Sequence, residues 1–183
     1  MLHVRESGFE FPERMIHLFV GGSELHGAKV HGTDDLDIYG LYVEAPELVL
    51  GLESLPHFVW STAGNDRRKK GRGKKGQRPE IEQKYGYDVK AAMHTLRLLY
   101  QCKELLLEQR ITLPRPERDF LIKVRTGKYS MEKVLRIAEE LFGACEEAAK
   151  ASTLPDKVDR NVVSRLITAA YRKMWDASET VLA

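Results

Sequence analysis

Gly22 and Ser23 follow the β-rich run MIHLFV, and Asp35 and Asp37 flank Leu36, with the eleven residues 24–34 between the serine and the first aspartate. Side chains at i and i+2 of a strand share a face, so a strand here presents both carboxylates together. Two carboxylates that close resist joint ionisation unless a cation lies between them. Hard divalent ions take oxygen ligands and commonly use one or two carboxylates plus substrate phosphates. A glycine-serine turn behind a strand offers backbone N–H groups to those phosphates, because glycine lets the backbone approach closely. A helix starting at the turn would add the positive end of its dipole. Alone, an Asp-x-Asp is most often a solvated strand face, and Gly-Gly-Ser is most often only a turn. Together, each abutting an apolar strand, they describe a site for a phosphorylated ligand and a divalent cation.

The elements that must hold these residues are legible as patterns. Residues 15–20 predict a buried strand ended by Gly21-Gly22. Residues 23–29 predict a short helix, Gly32-Thr33-Asp34 a turn, and residues 36–43 a second strand. Residues 46–52 read as a short helix or turn, and Phe58-Val59-Trp60 as a third short strand. The period then changes. Over residues 88–110, Ala92, Leu96, Leu99 and Leu106 recur at three- and four-residue spacing, which predicts a helix. Leu113-Pro114-Arg115-Pro116 breaks it, and Pro116 suits the first turn of a short helix that Gly127 ends. Ser130 is the expected N-cap of a helix to residue 151, with Val134, Ile137, Leu141, Ala144, Cys145 and Ala148 on one stripe. Asp159 is the expected cap of a last helix. The expected fold class is mixed α+β. A small twisted sheet, mostly antiparallel or mixed, with flanking helices occupies residues 1–86, and a helical C-terminal segment occupies 87–183.

The chain has 183 residues, 43% of them hydrophobic, enough for a packed core and against wholesale disorder. No run reaches the roughly 18 apolar residues that a membrane-spanning helix needs. The first residues carry Glu6, Glu10 and Glu13 and no apolar stretch of a secretion signal. A cytoplasmic protein without a membrane role is the expectation. The formal net charge of +2 conceals an asymmetry. Residues 67–78 hold eight cations (Arg67, Arg68, Lys69, Lys70, Arg72, Lys74, Lys75 and Arg78) and no acid, so the rest of the chain carries −6. Such a basic loop, within residues 65–79, suits phosphates and makes polyanion binding steeply salt-dependent. Its plain alternative is a solvated insertion.

Lys90, His94 and Arg97 stand at i, i+4 and i+7, one face of the helix expected there. They suit a triphosphate or an RNA backbone, or else form a solvated polar face opposite Ala91, Leu98 and Cys102. His26 and His31 flank the turn between the motifs, and His26 is placed to reach a phosphate. No histidine has metal-ligand spacing with Cys102 or Cys145, which argues against zinc. Both cysteines are expected as reduced core residues, and Trp60 and Trp175 as core or interface anchors.

Gly-Ser, about a dozen residues, then Asp-x-Asp among apolar residues resembles the DNA polymerase β-like nucleotidyltransferase superfamily. The stretch GGSELHGAKVHGTDDLDIYGLYVEAPELVLGL further resembles the predicted bacterial and phage nucleotidyltransferases associated with RNA repair. It has their glycine-serine, their S/T-D-x-D-x-x-G-like run and their L-G-L. YGYDVKAAMHTLRLL, LPRPERDFLIKVRTGKYSMEKVL and ASTLP extend the likeness, so that it covers residues 18–156. The resemblance implies that Gly22 and Ser23 bind the phosphates of a nucleoside triphosphate, with His26, Lys90, His94 and Arg97 as further nucleotide contacts. It implies that Asp35 and Asp37 hold Mg²⁺ or Mn²⁺. It also implies a third carboxylate on a later strand, for which Asp88 and Glu82 are the first candidates, with Glu80 and Asp66 behind them. The family's basic residue after Asp-x-Asp is absent, and Tyr39 stands there. The implied activity is transfer of a nucleoside monophosphate to an acceptor hydroxyl, an RNA or tRNA 3′ end, with a protein hydroxyl also open. Two alternatives stay beside it. One is a catalytically inactive relative that binds nucleotide or RNA, and the other is an antitoxin-like protein acting on a protein partner.

Overall fold

The computed structural model describes residues 14–30, 36–52 and 79–179. These form two strands, β1 (Met15–Val20) and β2 (Ile38–Tyr42), and seven helices: α1 (Gly22–Leu25), α2 (Pro46–Leu50), α3 (Pro79–Tyr85), α4 (Val89–Glu108), α5 (Arg118–Arg125), α6 (Met131–Ala151) and α7 (Arg160–Glu179). The class is mixed α/β, mostly helical, with a two-stranded sheet in which β1 pairs with β2. The pairing is antiparallel: Gly21 N donates to Asp37 O at one end (2.8 Å) and Val43 N to Arg14 O at the other (2.9 Å). The expected third strand at residues 58–60 lies outside the described residues.

The described residues divide into two compact units. The larger gathers residues 20–30, 36–38 and 79–156. Its core joins Ala28, Met93 and Leu96 to Leu121, Val124, Val134 and Leu141, all 8% exposed or less. Each fully buried Leu or Met contributes about 1.5–3 kcal/mol over an exposed one, so this helical cluster is where the unit's stability is concentrated. Sequence dictates the helix ends. The Asp88 carboxylate accepts from Lys90 N and Ala91 N (both 2.9 Å) and so caps α4. Ser130 Oγ accepts from Lys133 N (3.3 Å) and caps α6, whose buried stripe of Val134, Leu141, Cys145 and Ala148 follows the sequence pattern. Gly127, at φ +71°, ends α5 in the left-handed conformation that glycine tolerates. A side chain there would also overlap the Tyr85 ring.

The smaller unit gathers residues 14–19, 39–52 and 157–179. In it Trp175 Nε1 donates to Glu44 O (2.9 Å) and meets the Tyr171 ring edge-on (5.2 Å), the anchoring role expected of that tryptophan. Asp159 caps α7, accepting from Asn161 N and Val162 N.

Two expectations are corrected. Residues 79–85 are a helix, so Glu80 and Glu82 lie on α3 and not on a strand. The α4 face carrying Ala91, Leu98 and Cys102 is exposed, because Val89, Met93 and Leu96 point inward instead. Cys102 is therefore a surface thiol, whereas Cys145 is buried and donates to Leu99 O (3.4 Å). Among the described residues no helix is long and apolar enough to cross a membrane.

Candidate functional site

The glycine-serine turn and the second aspartate, fourteen positions apart in sequence, are brought together. Gly21 is buried and hands its N–H to Asp37 O, which ties the start of the turn to the residue before β2. Gly22 sits at φ +59°, a conformation costing other residues roughly 1–2 kcal/mol. Its missing side chain is what lets Asp37 in, since a Cβ on residue 22 would overlap the Asp37 carboxylate. That carboxylate is exposed and makes no hydrogen bond or ion pair with the described residues. Ser23 is half-buried, and its carbonyl accepts from Ala28 N (2.9 Å), closing the turn. The expected helix shrinks to α1, one turn of four residues, so the local backbone and not a long helix dipole shapes this corner. Asp35 lies outside the described residues, as do His31, Asp66, Trp60 and the basic residues Arg67, Arg68, Lys69, Lys70, Arg72, Lys74, Lys75 and Arg78.

A second grouping of expected residues also assembles. His26 is the C-terminal residue of the α1 turn, and its Nε2 accepts from Arg97 Nη1 (2.9 Å). Arg97 reaches His94 Nδ1 through Nη2 (3.3 Å) and Gln101 Oε1 through Nη1 (3.0 Å). Because arginine only donates, both histidine atoms must be the unprotonated nitrogens of their rings. Burial, then the charges of Arg97, Arg115 and His94, lower the His26 pKa to about 4. Near neutral pH His26 is thus an uncharged acceptor that holds Arg97. Burial and the Arg115 charge also lower the Arg97 pKa. Lys90 is half-buried one turn before His94 on α4.

The depressed His26 pKa sets a pH dependence. Between its unfolded value near 6.5 and about 4, the unfolded chain binds the proton more readily. Stability therefore falls as pH drops through that window and is free of this penalty above it. Urea midpoints are expected to decline from pH 6.5 to 5, and to decline less in His26→Gln, where an amide oxygen can still accept from Arg97. Equal slopes in the two proteins would remove His26 as the source.

Two of the candidates for a third carboxylate, Asp88 and Glu82, stand at the start of a helix and on one. Asp88 Oδ1 is engaged by two backbone N–H groups at the start of α4, and Glu82 is exposed on α3. Among the described residues no three His, Cys, Asp or Glu side chains form a group fit to hold a metal. The described contributor to the metal pair is Asp37 alone. An exposed carboxylate without a partner among the described residues is an oxygen donor of the kind that a hard cation takes.

Sequence reasoning missed Arg115, read there only as part of a chain break. It is 1% exposed. Its Nη1 donates to Glu104 and to Thr112 O (3.1 Å), its Nε to Glu117 Oε2 (3.2 Å), and its backbone N to His26 O (3.1 Å). Glu104, bonded by the Thr112 hydroxyl and by Arg115, has its pKa lowered to about 2. A buried arginine between two acids thus braces the α1 turn from beneath. No family model, no curated protein and no solved structure matches the chain.

Proposed function

We propose that this protein is a nucleotidyltransferase that moves a nucleoside monophosphate from a nucleoside triphosphate to an acceptor hydroxyl, an RNA end being the acceptor the basic loop suits best. The observation that carries the reading is the seating of the Asp37 carboxylate against Gly22, which joins the two halves of the pattern Gly-Ser…Asp-x-Asp in one corner. In this reading the Gly21–Ser23 backbone cradles the phosphates. Asp37, with Asp35, would hold Mg²⁺ or Mn²⁺. A divalent ion there would neutralise charge on the phosphates and polarise the phosphoryl oxygen. The protein's own share is placement: the turn fixes the triphosphate, Gly22 keeps room for the carboxylate, and Arg97 supplies a fixed cation. Orientation and preorganised charge are the main sources of rate in such reactions.

A second reading, a relative that binds nucleotide or RNA without turnover, is favoured by the capping role of Asp88 and the exposed helical position of Glu82. Incubation of the protein with each labelled nucleoside triphosphate, Mg²⁺ and total RNA separates them. Label fixed on RNA supports transfer; saturable nucleotide binding with no fixed label supports the second reading. Label on a co-purifying protein would move the acceptor to a protein hydroxyl.

The basic run at residues 67–78 has its own test. Each phosphate contact on a single strand contributes about 0.7 to the slope of log affinity against log salt. Replacing Lys69, Lys70, Lys74 and Lys75 by glutamine is expected to flatten that slope for RNA by up to about 3. An unchanged slope would leave the loop without a nucleic-acid role.

A further inference from the structure

We propose that Arg97 is the receptor for a phosphoryl oxyanion and that His26 is its positioning residue. The Arg97 and Arg115 guanidiniums, both of the larger unit, are treated differently. Arg115 is matched by the carboxylates of Glu104 and Glu117. Arg97 is half-buried, yet its partners among the described residues are His26, His94 and Gln101, none of them an acid. Taking a cation out of water without a counter-ion is costly. Three acceptors, none of them an acid, hold the Arg97 guanidinium in place, so among the described residues no carboxylate neutralises its charge.

The donor count says where that anion binds. A guanidinium has five N–H donors. Nη1 spends both of its own on His26 and Gln101, and Nη2 spends one on His94. Among the described residues no partner takes the Nε–H or the second Nη2–H. Nε and Nη2 form one edge of the planar fork, the edge that grips two oxygens of a phosphate or carboxylate. His26 matters because it takes the opposite nitrogen, Nη1, and so turns that edge away from itself. It is also the last residue of the α1 turn, so the turn carrying Gly22 and Ser23 and the α4 cation are joined through one side chain. A ligand with several phosphoryl groups could therefore use both. The identity of the ligand as a phosphoryl compound rests on the nucleotidyl-transfer reading, whereas the fork that no described acid compensates does not.

The test is calorimetric titration of the full chain with inorganic pyrophosphate, and separately with malonate, in the presence of a chelator. Pyrophosphate is expected to bind at one site and malonate at least tenfold more weakly. Arg97→Gln and Arg97→Lys are both expected to weaken pyrophosphate at least about tenfold, the lysine because a point charge lacks the fork. His26→Leu is expected to weaken it similarly, and His26→Gln to restore it, a rescue that loss of packing alone would not produce. Wild-type affinity in either Arg97 variant, or no pyrophosphate binding by the wild type, overturns the proposal. Equal binding of malonate overturns the phosphoryl assignment. Failure is distinguishable from failure of the transfer reading, because the assay holds no metal and reads binding of pyrophosphate, not transfer of a nucleotide.

Discussion

Asp37→Asn is expected to reduce transfer of labelled nucleotide at least a hundredfold while leaving the fold intact, and Asp35→Ala to do the same. The magnitude follows from the task. A divalent ion held at a phosphoryl centre supplies several kcal/mol of charge stabilisation, and each 1.36 kcal/mol lost is about tenfold in rate. Asparagine keeps the shape of Asp37 beside Gly22 but removes the charge that holds the ion. The fold should not notice. The Asp37 side chain is exposed and has no hydrogen bond or ion pair with the described residues, and exposed substitutions of this kind fall within about 0.5 kcal/mol. Gly22→Ala provides the geometric counterpart. It keeps both acids but forces the carboxylate out of its seat, since the new Cβ overlaps it, and it strains a residue at φ +59°. It should therefore lose transfer together with roughly 1–2 kcal/mol of stability. Transfer retained in Asp37→Asn, at unchanged circular dichroism, would remove the metal assignment.

The contrast between these residues and the rest shows which parts of the molecule were legible beforehand. The Gly22–Asp37 corner could be anticipated because its information is local. A glycine pair after an apolar strand implies a turn, and an acid at the start of the next strand is brought to it by antiparallel pairing. Helix ends were legible for the same reason: Ser130 and Asp159 act through N–H groups two or three residues on. Asp88 carried that same code, an acid directly before a helical run. That local code accounts for its hydrogen bonds to Lys90 N and Ala91 N, whereas a role as third carboxylate depends on distant groups that no local code specifies. The face of α4 was misjudged because Ala91, Leu98 and Cys102 are apolar by type. Val89, Met93 and Leu96 cover the core more completely, which leaves the others outside. The His26–Arg97 contact spans 71 residues and joins two polar side chains by no periodic rule. No composition or spacing argument reaches such a pair.

Arg115 is the extreme case, and its replacement is expected to produce the largest loss of stability. Arg115→Met should cost about 3–5 kcal/mol, the range for removing one partner of a buried ion pair. For a chain of this length that lowers Tm by about 6–20 °C. The cost does not come from the lost attraction alone. Methionine fills much of the same volume, but Glu104 and Glu117 then face each other's charge with no cation, and Thr112 O loses the N–H that it accepts from Arg115 Nη1. Glu104 should bear most of this, since Arg115 is among the groups that hold its pKa near 2. A double-mutant cycle identifies the cause. If the penalty is mainly the stranded carboxylate, Glu104→Gln costs less in the Arg115→Met background than in the wild type, and the two changes couple favourably. If the penalty is only a cavity, the two costs add. The same variant reports on the candidate site. Arg115 helps to depress the His26 pKa, so in Arg115→Met that pKa should rise toward its ordinary value, readable from the histidine ring resonances on titration. A His26 pKa that stays near 4 would leave burial and Arg97 as sufficient causes. It would reduce Arg115 to a mechanical brace beneath the turn.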